Sequence, residues 1–266
     1  MGIRNRLAIS ALLIALSGSV FADFDHSQWD QLLRDNVVEL REGRATQVNY
    51  DGMLASRMQL RSYLAALAQV GKAAFEAWSY SEQLAFLINV YNAWTVEFIL
   101  SEYPKLDSIK DLGSFFNSPW SQEIVLLFGG QVSLDDVEHE MIRGWGRYNE
   151  PRIHFAVNCA AIGCPALGAE AFTAENLEQL LDKNTRRFMS DSERNYFSNG
   201  RFYLSKIFDW YEEDFEKGWK GYNTLAEFLG DYQRELGLGP EARDGLASNR
   251  FSLRYTSYDW GLNKVP

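Results

Sequence analysis

The stretch WSYSEQLAFLINVYNAWTVEFILSEYP, residues 78–104, is the longest segment of helical character in the chain. Ser79 followed three residues later by Glu82 forms a capping box, which predicts the start of a helix. Pro104 predicts its end, because proline cannot continue a helix. The middle of the segment is apolar on nearly every side, so we expect a central helix that is buried all round.

Two amide side chains interrupt this apolar segment. Asn89 and Asn92 are three residues apart and share one face of the predicted helix. A buried amide needs polar partners, since leaving one unpaired costs about 1–3 kcal/mol. The pair therefore either ties down a neighbouring loop or serves a functional site.

The segment SLDDVEHEMIRGW, residues 133–145, predicts a regular helix capped by Ser133. Glu138 flanks its apolar side, whereas His139 points away from it. The inner stripe is expected to consist of Leu134, Val137, Met141 and Trp145. Glu138 either orients an imidazole or forms a salt bridge with an arginine such as Arg143, Arg147 or Arg152.

The remaining segments predict a mixed architecture. Helical periodicity also covers residues 25–38, 56–70 and 173–189. The stretch at 152–158 alternates like a short strand, and Asn199-Gly200 between two aromatic runs predicts a hairpin. Helices and antiparallel strands come in separate runs, so the fold class is α+β, with one domain from residue 23 to 266.

The first 22 residues predict a secretory signal peptide. Two arginines precede an apolar run too short to span a bilayer, and cleavage is expected after Ala22. The domain would then be periplasmic or secreted, with no membrane span remaining. A net charge of −10 disfavours nucleic acid as a partner, because nucleic acid binding needs a basic surface.

The stretch RIHFAVNCAAIGCPALG, residues 152–168, contains both cysteines of the chain and one of its three histidines. Two cysteines in an exported chain most often form a disulfide, here Cys159–Cys164. Small residues after Cys159 are also typical of a nucleophile at a turn, where free backbone N–H groups bind an oxyanion. Thiol–disulfide exchange is a third alternative, although the pair lacks the short CxxC spacing. No ligand spacing fits a metal, and no metal or organic cofactor is expected.

Four motifs together resemble the DUF547 family, a domain of unknown function found in bacteria and plants. They are AFLINVYNAWTV, SLDDVEHEMIRG, RIHFAVNCAAIGCPAL and LSKIFDWYEEDF, in that order, within residues 50–215. The resemblance places the motif cysteine at Cys159, the histidine beside a glutamate at His139, and the paired asparagines at Asn89 and Asn92. Cys164 falls on a position that can be serine in plant members, which weighs against a purely structural disulfide.

The motif residues are similar to the parts of a papain- or transglutaminase-like cysteine peptidase, and the resemblance implies a related fold and thiol chemistry. Cys159 would attack the carbonyl of a peptide, amide, ester or other small-molecule ligand, for hydrolysis or acyl transfer. His139 would be the base, with His154 as the alternative. Asn92 or Glu138 would orient the imidazole.

Asn89 or Asn158, together with backbone N–H groups near Cys159, would bind the oxyanion. The competing hypothesis is a non-catalytic binding or scaffold domain. In that case Cys159 and Cys164 form a structural disulfide, and aromatic residues line a ligand cleft.

Overall fold

The computed structural model describes residues 23–114 and 117–266. The predicted signal peptide lies outside the described residues. The α-helices are α1 (Ser27–Asn36), α2 (Tyr50–Ala55), α3 (Arg57–Ala68), α4 (Lys72–Glu76), α5 (Tyr80–Glu102), α6 (Leu177–Met189), α7 (Ile207–Trp210), α8 (Glu212–Glu216), α9 (Leu225–Asp231) and α10 (Pro240–Ala247). Short 3₁₀ turns are formed by Arg41–Gly43, Ile109–Leu112, Pro119–Ser121, Pro151–Phe155 and Trp219–Gly221, and Asp136–Gly144 forms a π-helix.

The strands form three small sheets, which confirms the α+β class. The strands are β1 (Val37–Leu40), β2 (Ala45–Val48), β3 (Val125–Leu127), β4 (Gly130–Val132), β5 (Tyr196–Ser198), β6 (Arg201–Leu204) and β7 (Ser252–Tyr255). β1 pairs antiparallel with β2, β3 with β4, and β5 with β6 across the predicted Asn199-Gly200 turn. β7 then adds parallel to β6, with Arg201 opposite Ser252, so the third sheet is mixed.

The central helix α5 has the predicted ends. The Ser79 N–H donates to Glu82 Oε2 at 2.7 Å, and the Glu82 N–H donates to Ser79 Oγ at 3.2 Å. By length and composition, α5 is the one helix in the described part of the chain that qualifies to cross a membrane; 83% of its apolar window is buried inside the protein. Its all-round burial identifies it as the axis of the core, because the other helices and loops cover every side.

Two apolar cores lie side by side. The first surrounds α5 and includes side chains of α1, α3 and β3. The second is rich in phenylalanine and lies among α6, α9, α10 and β6. The C-terminal segment 258–264, called the strap below, runs back across the chain and hydrogen-bonds residues 160–163.

The prediction of a strand at 152–158 is wrong. Residues Pro151–Phe155 form a 3₁₀ turn whose first residue is proline. The Glu150 side chain caps this turn by accepting from the Arg152 N–H at 3.1 Å. Ile153 packs into the first core and Phe155 into the second. Because the segment is buried between two cores, its alternating apolar residues reflect two packing partners rather than a pleated strand.

The predicted helix at 133–145 forms and is capped by Ser133, whose hydroxyl accepts from the Asp136 N–H at 3.0 Å. Its winding differs from the expected one, because residues Asp136–Gly144 are in a π-helix. Hydrogen bonds from residue i to i+5 shift the inward face by one residue, so Ile142 rather than Met141 is buried. Glu138, which follows buried Leu134 by four residues, is also buried and is 6% exposed.

The helix expected from residue 173 begins as α6 four residues later. Thr173 and Asn176 exchange hydrogen bonds on the turn before it, with the Thr173 N–H donating to Asn176 Oδ1 at 2.7 Å and the Asn176 N–H donating to Thr173 Oγ1 at 3.2 Å. The threonine therefore stabilises the approach to the helix rather than its first turn.

Candidate active site

A cavity of about 290 Å³ lies where the two cores meet. The π-helix, the 152–165 segment, α7 and the strap all contribute to its lining. The lining residues are Tyr91, Trp120, Asp135, Glu138, His139, His154, Val157, Cys159, Cys164, Pro165, Ile207, Trp210, Tyr211, Tyr258 and Trp260. The fold thus brings four of the residues singled out in the sequence, Glu138, His139, His154 and Cys159, to one cavity.

The two cysteines are bonded to each other in this structure. Their Cα atoms are 6.2 Å apart, and no free cysteine remains. The Tyr258 hydroxyl lies 3.1 Å from each sulfur, and the Cys159 N–H donates to Cys164 Sγ at 2.9 Å. The disulfide weighed as the alternative is therefore present, and the expected free thiol of Cys159 is absent from this form of the chain. Cys164 is buried, while Cys159 is the more exposed of the two.

The loop after Cys159 is fixed by its own hydrogen bonds. Ala160 takes a left-handed conformation, with φ at 62°, and its N–H donates to Asn158 Oδ1 at 2.9 Å. The N–H groups of Ile162 and Gly163 donate to carbonyls of the strap at 2.8 Å. These N–H groups are occupied, so they do not form the oxyanion site expected from the sequence. The Cys159 N–H is different, because its acceptor is the partner sulfur.

The three predicted asparagines lie outside the cavity lining and bind backbone. Asn89 Nδ2 donates to Phe172 O at 2.7 Å, and Asn89 Oδ1 accepts from the Phe172 N–H at 3.1 Å. Asn92 does the same for the segment before Cys159, with Nδ2 donating to Ala156 O at 2.9 Å and Oδ1 accepting from the Asn158 N–H at 2.8 Å. Asn158 Nδ2 donates to Pro165 O at 2.7 Å. All three amides thus hold loops in place, and none orients an imidazole.

His154 is fixed by a carboxylate on one side and is open on the other. It is 2% exposed, its Nε2 lies 2.7 Å from Asp214 Oδ2, and its ring stacks on Tyr211 at 3.9 Å between centroids. Burial raises the pKa of Asp214, but hydrogen bonds from His154, Arg143 and Lys217 outweigh it and hold that pKa well below its usual range. The carboxylate must then accept, so Nε2 carries the proton and Nδ1 has a free lone pair.

The Nδ1 atom of His154 is buried and has no hydrogen-bond partner among the described residues. Burial lowers the pKa of His154, against the Asp214 hydrogen bond, which raises it. The imidazole is therefore neutral at pH 7. A neutral, oriented ring with an open lone pair is the form required of a general base.

His139 is placed differently. It lies on the exposed rim of the cavity, and the Arg143 guanidinium donates to its Nδ1 at 2.8 Å. Since arginine can only donate, Nδ1 accepts, and in the neutral ring the proton resides on Nε2, 3.7 Å from Asp135 Oδ1. Neither nitrogen of His139 is free to take a proton in this arrangement.

Glu138 is a buried carboxylate without a cationic partner among the described residues. The arginines considered as its salt-bridge partners pair elsewhere: Arg143 with Asp214, Arg147 with Glu76 and Arg152 with Glu150. Glu138 instead lies beside the hydroxyls of Tyr91 and Tyr211. Burial, followed by the charge of Glu138, raises the pKa of both tyrosines well above its ordinary value.

Aromatic rings form one side of the cavity. This aromatic wall consists of Trp120, Trp210, Tyr258 and Trp260, with centroid distances of 4.5 Å between Tyr258 and Trp260 and 4.8 Å between Trp210 and Tyr258. Trp210 is 44% exposed, so the wall continues to the surface. The Lys110 ammonium lies 3.7 Å from the centre of the Trp260 ring. The described residues contain no cluster of His, Cys, Asp and Glu that fits a metal ion.

Asp214 and Tyr258 were not predicted from the sequence, and the aromatic lining was predicted without its residues. Asp214 lies in the fourth motif, DWYEEDF, 60 residues after the histidine that it orients. The signal was an acid inside a motif that otherwise predicts only a helix. Tyr258 and Trp260 lie beyond the last motif, and only the path of the strap brings them to Cys159 and Cys164.

Comparison with known proteins identifies a family over part of the chain. The family model described as "Protein of unknown function, DUF547" matches residues 75–189 of the chain. The match includes the π-helix, both histidines of the cavity and both cysteines, and it ends before Asp214 and the strap. No curated protein and no solved structure matches the chain.

Proposed function

We propose that the chain is an exported thiol hydrolase or acyltransferase whose nucleophile, Cys159, is held as a disulfide with Cys164 until a dithiol reduces it. One observation carries this proposal. Cys159 lines the same cavity as His154, whose proton-accepting nitrogen is free and whose other nitrogen is bound to Asp214. Nucleophile, base and orienting acid are the three parts of a triad.

The base in this proposal is His154 rather than His139. The Asp214 carboxylate fixes the His154 tautomer and would stabilise the imidazolium that forms when Nδ1 takes a proton. His139 has its acceptor nitrogen occupied by Arg143, and protonation there would place two cations side by side. Arg143 also binds Asp214, so it supports the acid instead.

The chemistry begins with two thiols of a reductant, which convert the Cys159–Cys164 bond to two thiols and leave as a disulfide. The Cys159 proton passes to His154 Nδ1, and the sulfur attacks a substrate carbonyl carbon. A C–S bond forms, the C–N or C–O bond breaks, and the leaving amine or alcohol takes the proton from His154. Water or an amine then attacks the thioester and gives its proton to His154. The C–S bond breaks, and His154 returns the proton to the Cys159 sulfur.

Two donors remain for the oxyanion in this scheme. The Tyr258 hydroxyl contacts both sulfurs, and the Cys159 N–H loses its sulfur acceptor when Cys164 moves away after reduction. Donors aimed at a developing oxyanion are a major source of rate enhancement in acyl transfer. They replace the asparagine side chains expected from the sequence.

Export and the papain-like character are part of the proposal. Export is supported by the sequence of residues 1–22 and by the disulfide, since disulfides persist in oxidising compartments. The likeness to papain- or transglutaminase-type sites concerns the functional parts: thiol, imidazole and acid. An intact mass beginning at Asp23 in protein recovered from the periplasm tests export, and a mass that retains residues 1–22 contradicts it.

The second candidate is a binding domain with a structural disulfide, which the Cys159–Cys164 bond and the aromatic wall favour. Alkylation separates the two. Without reductant, neither cysteine should react with iodoacetamide. After reduction, mass mapping at pH 6.5 should show Cys159 reacting at least about tenfold faster than a small-molecule thiol of pKa ~8.5.

Cys164→Ser provides the matched control, because it frees Cys159 without any reductant and should give the same fast reaction. A reduced Cys159 that reacts no faster than the small-molecule thiol, in both proteins, supports the binding domain and contradicts the enzyme.

A further inference from the structure

The charged groups that line the cavity are carboxylates, and its unpartnered polar atom is a hydrogen-bond acceptor. Glu138 and Asp135 are carboxylates, His154 offers an unpartnered acceptor, and no lysine or arginine is part of the lining. A buried carboxylate is costly unless a cation or donors compensate it. The tyrosines beside Glu138 supply donors, but among the described residues no cation forms an ion pair with it, since Arg143, which its charge reaches, is paired with Asp214. An anionic ligand would be repelled here, whereas a cation would be attracted.

The other side of the cavity also favours a cation. The indole and phenol rings of the aromatic wall present faces with negative electrostatic potential, which attract ammonium groups. The protein itself shows this property, because the Lys110 ammonium already lies 3.7 Å from the centre of the Trp260 ring. The chain's net charge of −10 acts in the same direction at long range.

We propose that the cavity recognises the ammonium group of an aminoacyl substrate, with Glu138 as its charge partner and the aromatic wall around it. This inference rests on the proposed function, because it names the class of amide or ester presented to Cys159: one with a free amino group beside the carbonyl. A primary ammonium has three N–H donors. One of them can be accepted by the Glu138 carboxylate, which leaves the open Nδ1 of His154 free for the Cys159 proton.

The cavity volume agrees with a small group. About 290 Å³ is near the lower limit for small-molecule sites, so one amino-acid residue fits and a long folded peptide does not. The exposed edge at Trp210 leaves a way out for the leaving group. Recognition of one residue by its charge at one end is the arrangement expected for an aminoacyl amide or ester.

The test uses the disulfide form of the full protein, so its result is independent of thiol chemistry. The probes are L-phenylalaninamide and 3-phenylpropanamide, which differ only by the amino group. At pH 6 the α-amino group, of pKa about 7.7, is protonated. Binding is followed by calorimetry and by the fluorescence of the three tryptophans in the wall. L-phenylalaninamide should bind at least about tenfold more tightly.

Glu138→Gln should remove that preference, while Glu140→Gln, an exposed position in the same π-helix, should retain it. N-trimethylated phenylalaninamide has the charge without N–H donors and should bind more weakly than the parent. Equal affinity of the two first probes for the unaltered protein overturns the proposal without any variant, and so does a preserved preference in a folded Glu138→Gln protein. If either of these results is found while reduced Cys159 still alkylates fast, the thiol-site proposal stands and only the aminoacyl proposal is overturned.

Discussion

Two sets of buried polar groups in this protein differ in how completely they are satisfied. Along α5 and the loop before Cys159, Asn89, Asn92 and Asn158 each bond backbone groups through both amide atoms. Around the cavity, Glu138 lacks an ion partner and His154 has an open nitrogen. In this comparison the fully paired amides hold loops in place, whereas the unpaired groups share one cavity with Cys159, where a ligand or a reacting atom can satisfy them.

The largest expected effect concerns the other buried imidazole, His26, which shows what burial alone does outside the cavity. His26 Nδ1 lies 2.7 Å from the Tyr63 hydroxyl, and burial lowers the pKa of His26 to about 4, with Asp25 opposing. Because the folded pKa is below the unfolded value of 6.5, this contribution to stability is complete above pH 6.5 and is lost as the pH falls towards 4. The free energy of unfolding should fall by about 3 kcal/mol over that range.

Urea unfolding at several pH values measures this, with His26→Gln as the comparison. The variant should be less stable at pH 7 and should show a clearly shallower loss between pH 6.5 and 4. His154, whose pKa burial also lowers, contributes to the remaining slope with the same sign, as do carboxylates of lowered pKa such as Glu178. An unchanged slope in His26→Gln would remove His26 from the account.

The next effect compares the two asparagines of α5. Asn89→Ala and Asn92→Ala should each lower the free energy of unfolding by about 2 kcal/mol, since each leaves a buried backbone N–H and a buried backbone C=O unpaired. Only Asn92 holds the segment next to Cys159, so alkylation of reduced Cys159 should change in Asn92→Ala and stay constant in Asn89→Ala. Equal alkylation in both variants would mean that Asn92 is structural alone.

The smallest effect concerns the contact between the Cys159 loop and the strap. A Cβ added to Gly163 would come within 3.0 Å of the Asp259 backbone and the Tyr258 ring, so Gly163→Ala must shift the strap. We expect overpacking to lower the free energy of unfolding, measured in urea, by about 1 kcal/mol. Gly71→Ala is the control, because a Cβ there meets nothing within 4 Å. A Gly163→Ala protein as stable as Gly71→Ala would show that the strap is loosely held.

Local signals in the sequence were sufficient for much of the fold. The capping box at Ser79, the Asn199-Gly200 turn and the apolar periodicity of α1 and α3 are short-range features, and the structure confirms them. The strand predicted at 152–158 is wrong, because the alternation of apolar residues there reflects burial between two cores and not a pleated strand. The π-helix was missed because its shifted face depends on what packs around Glu138.

The candidate site was predictable only in part for the same reason. Glu138, His139, His154 and Cys159 are unusual residues within motifs, so the sequence points to them. The choice between the histidines depends on Arg143 and Asp214, which are contacts made by folding. The aromatic wall depends on the strap, which returns about 100 residues later to Cys159.

The central claim is that His154, oriented by Asp214, is the base for Cys159. The most direct measurement is the pH dependence of Cys159 alkylation in the reduced protein and in two matched variants, His154→Gln and His139→Gln. At pH 6.5, His154→Gln should react at least about tenfold more slowly than the unaltered protein, with its rate rising only towards pH 8.5. His139→Gln should stay within about twofold of the unaltered protein. A slow His139→Gln with a fast His154→Gln, or the same profile for all three proteins, would contradict the account.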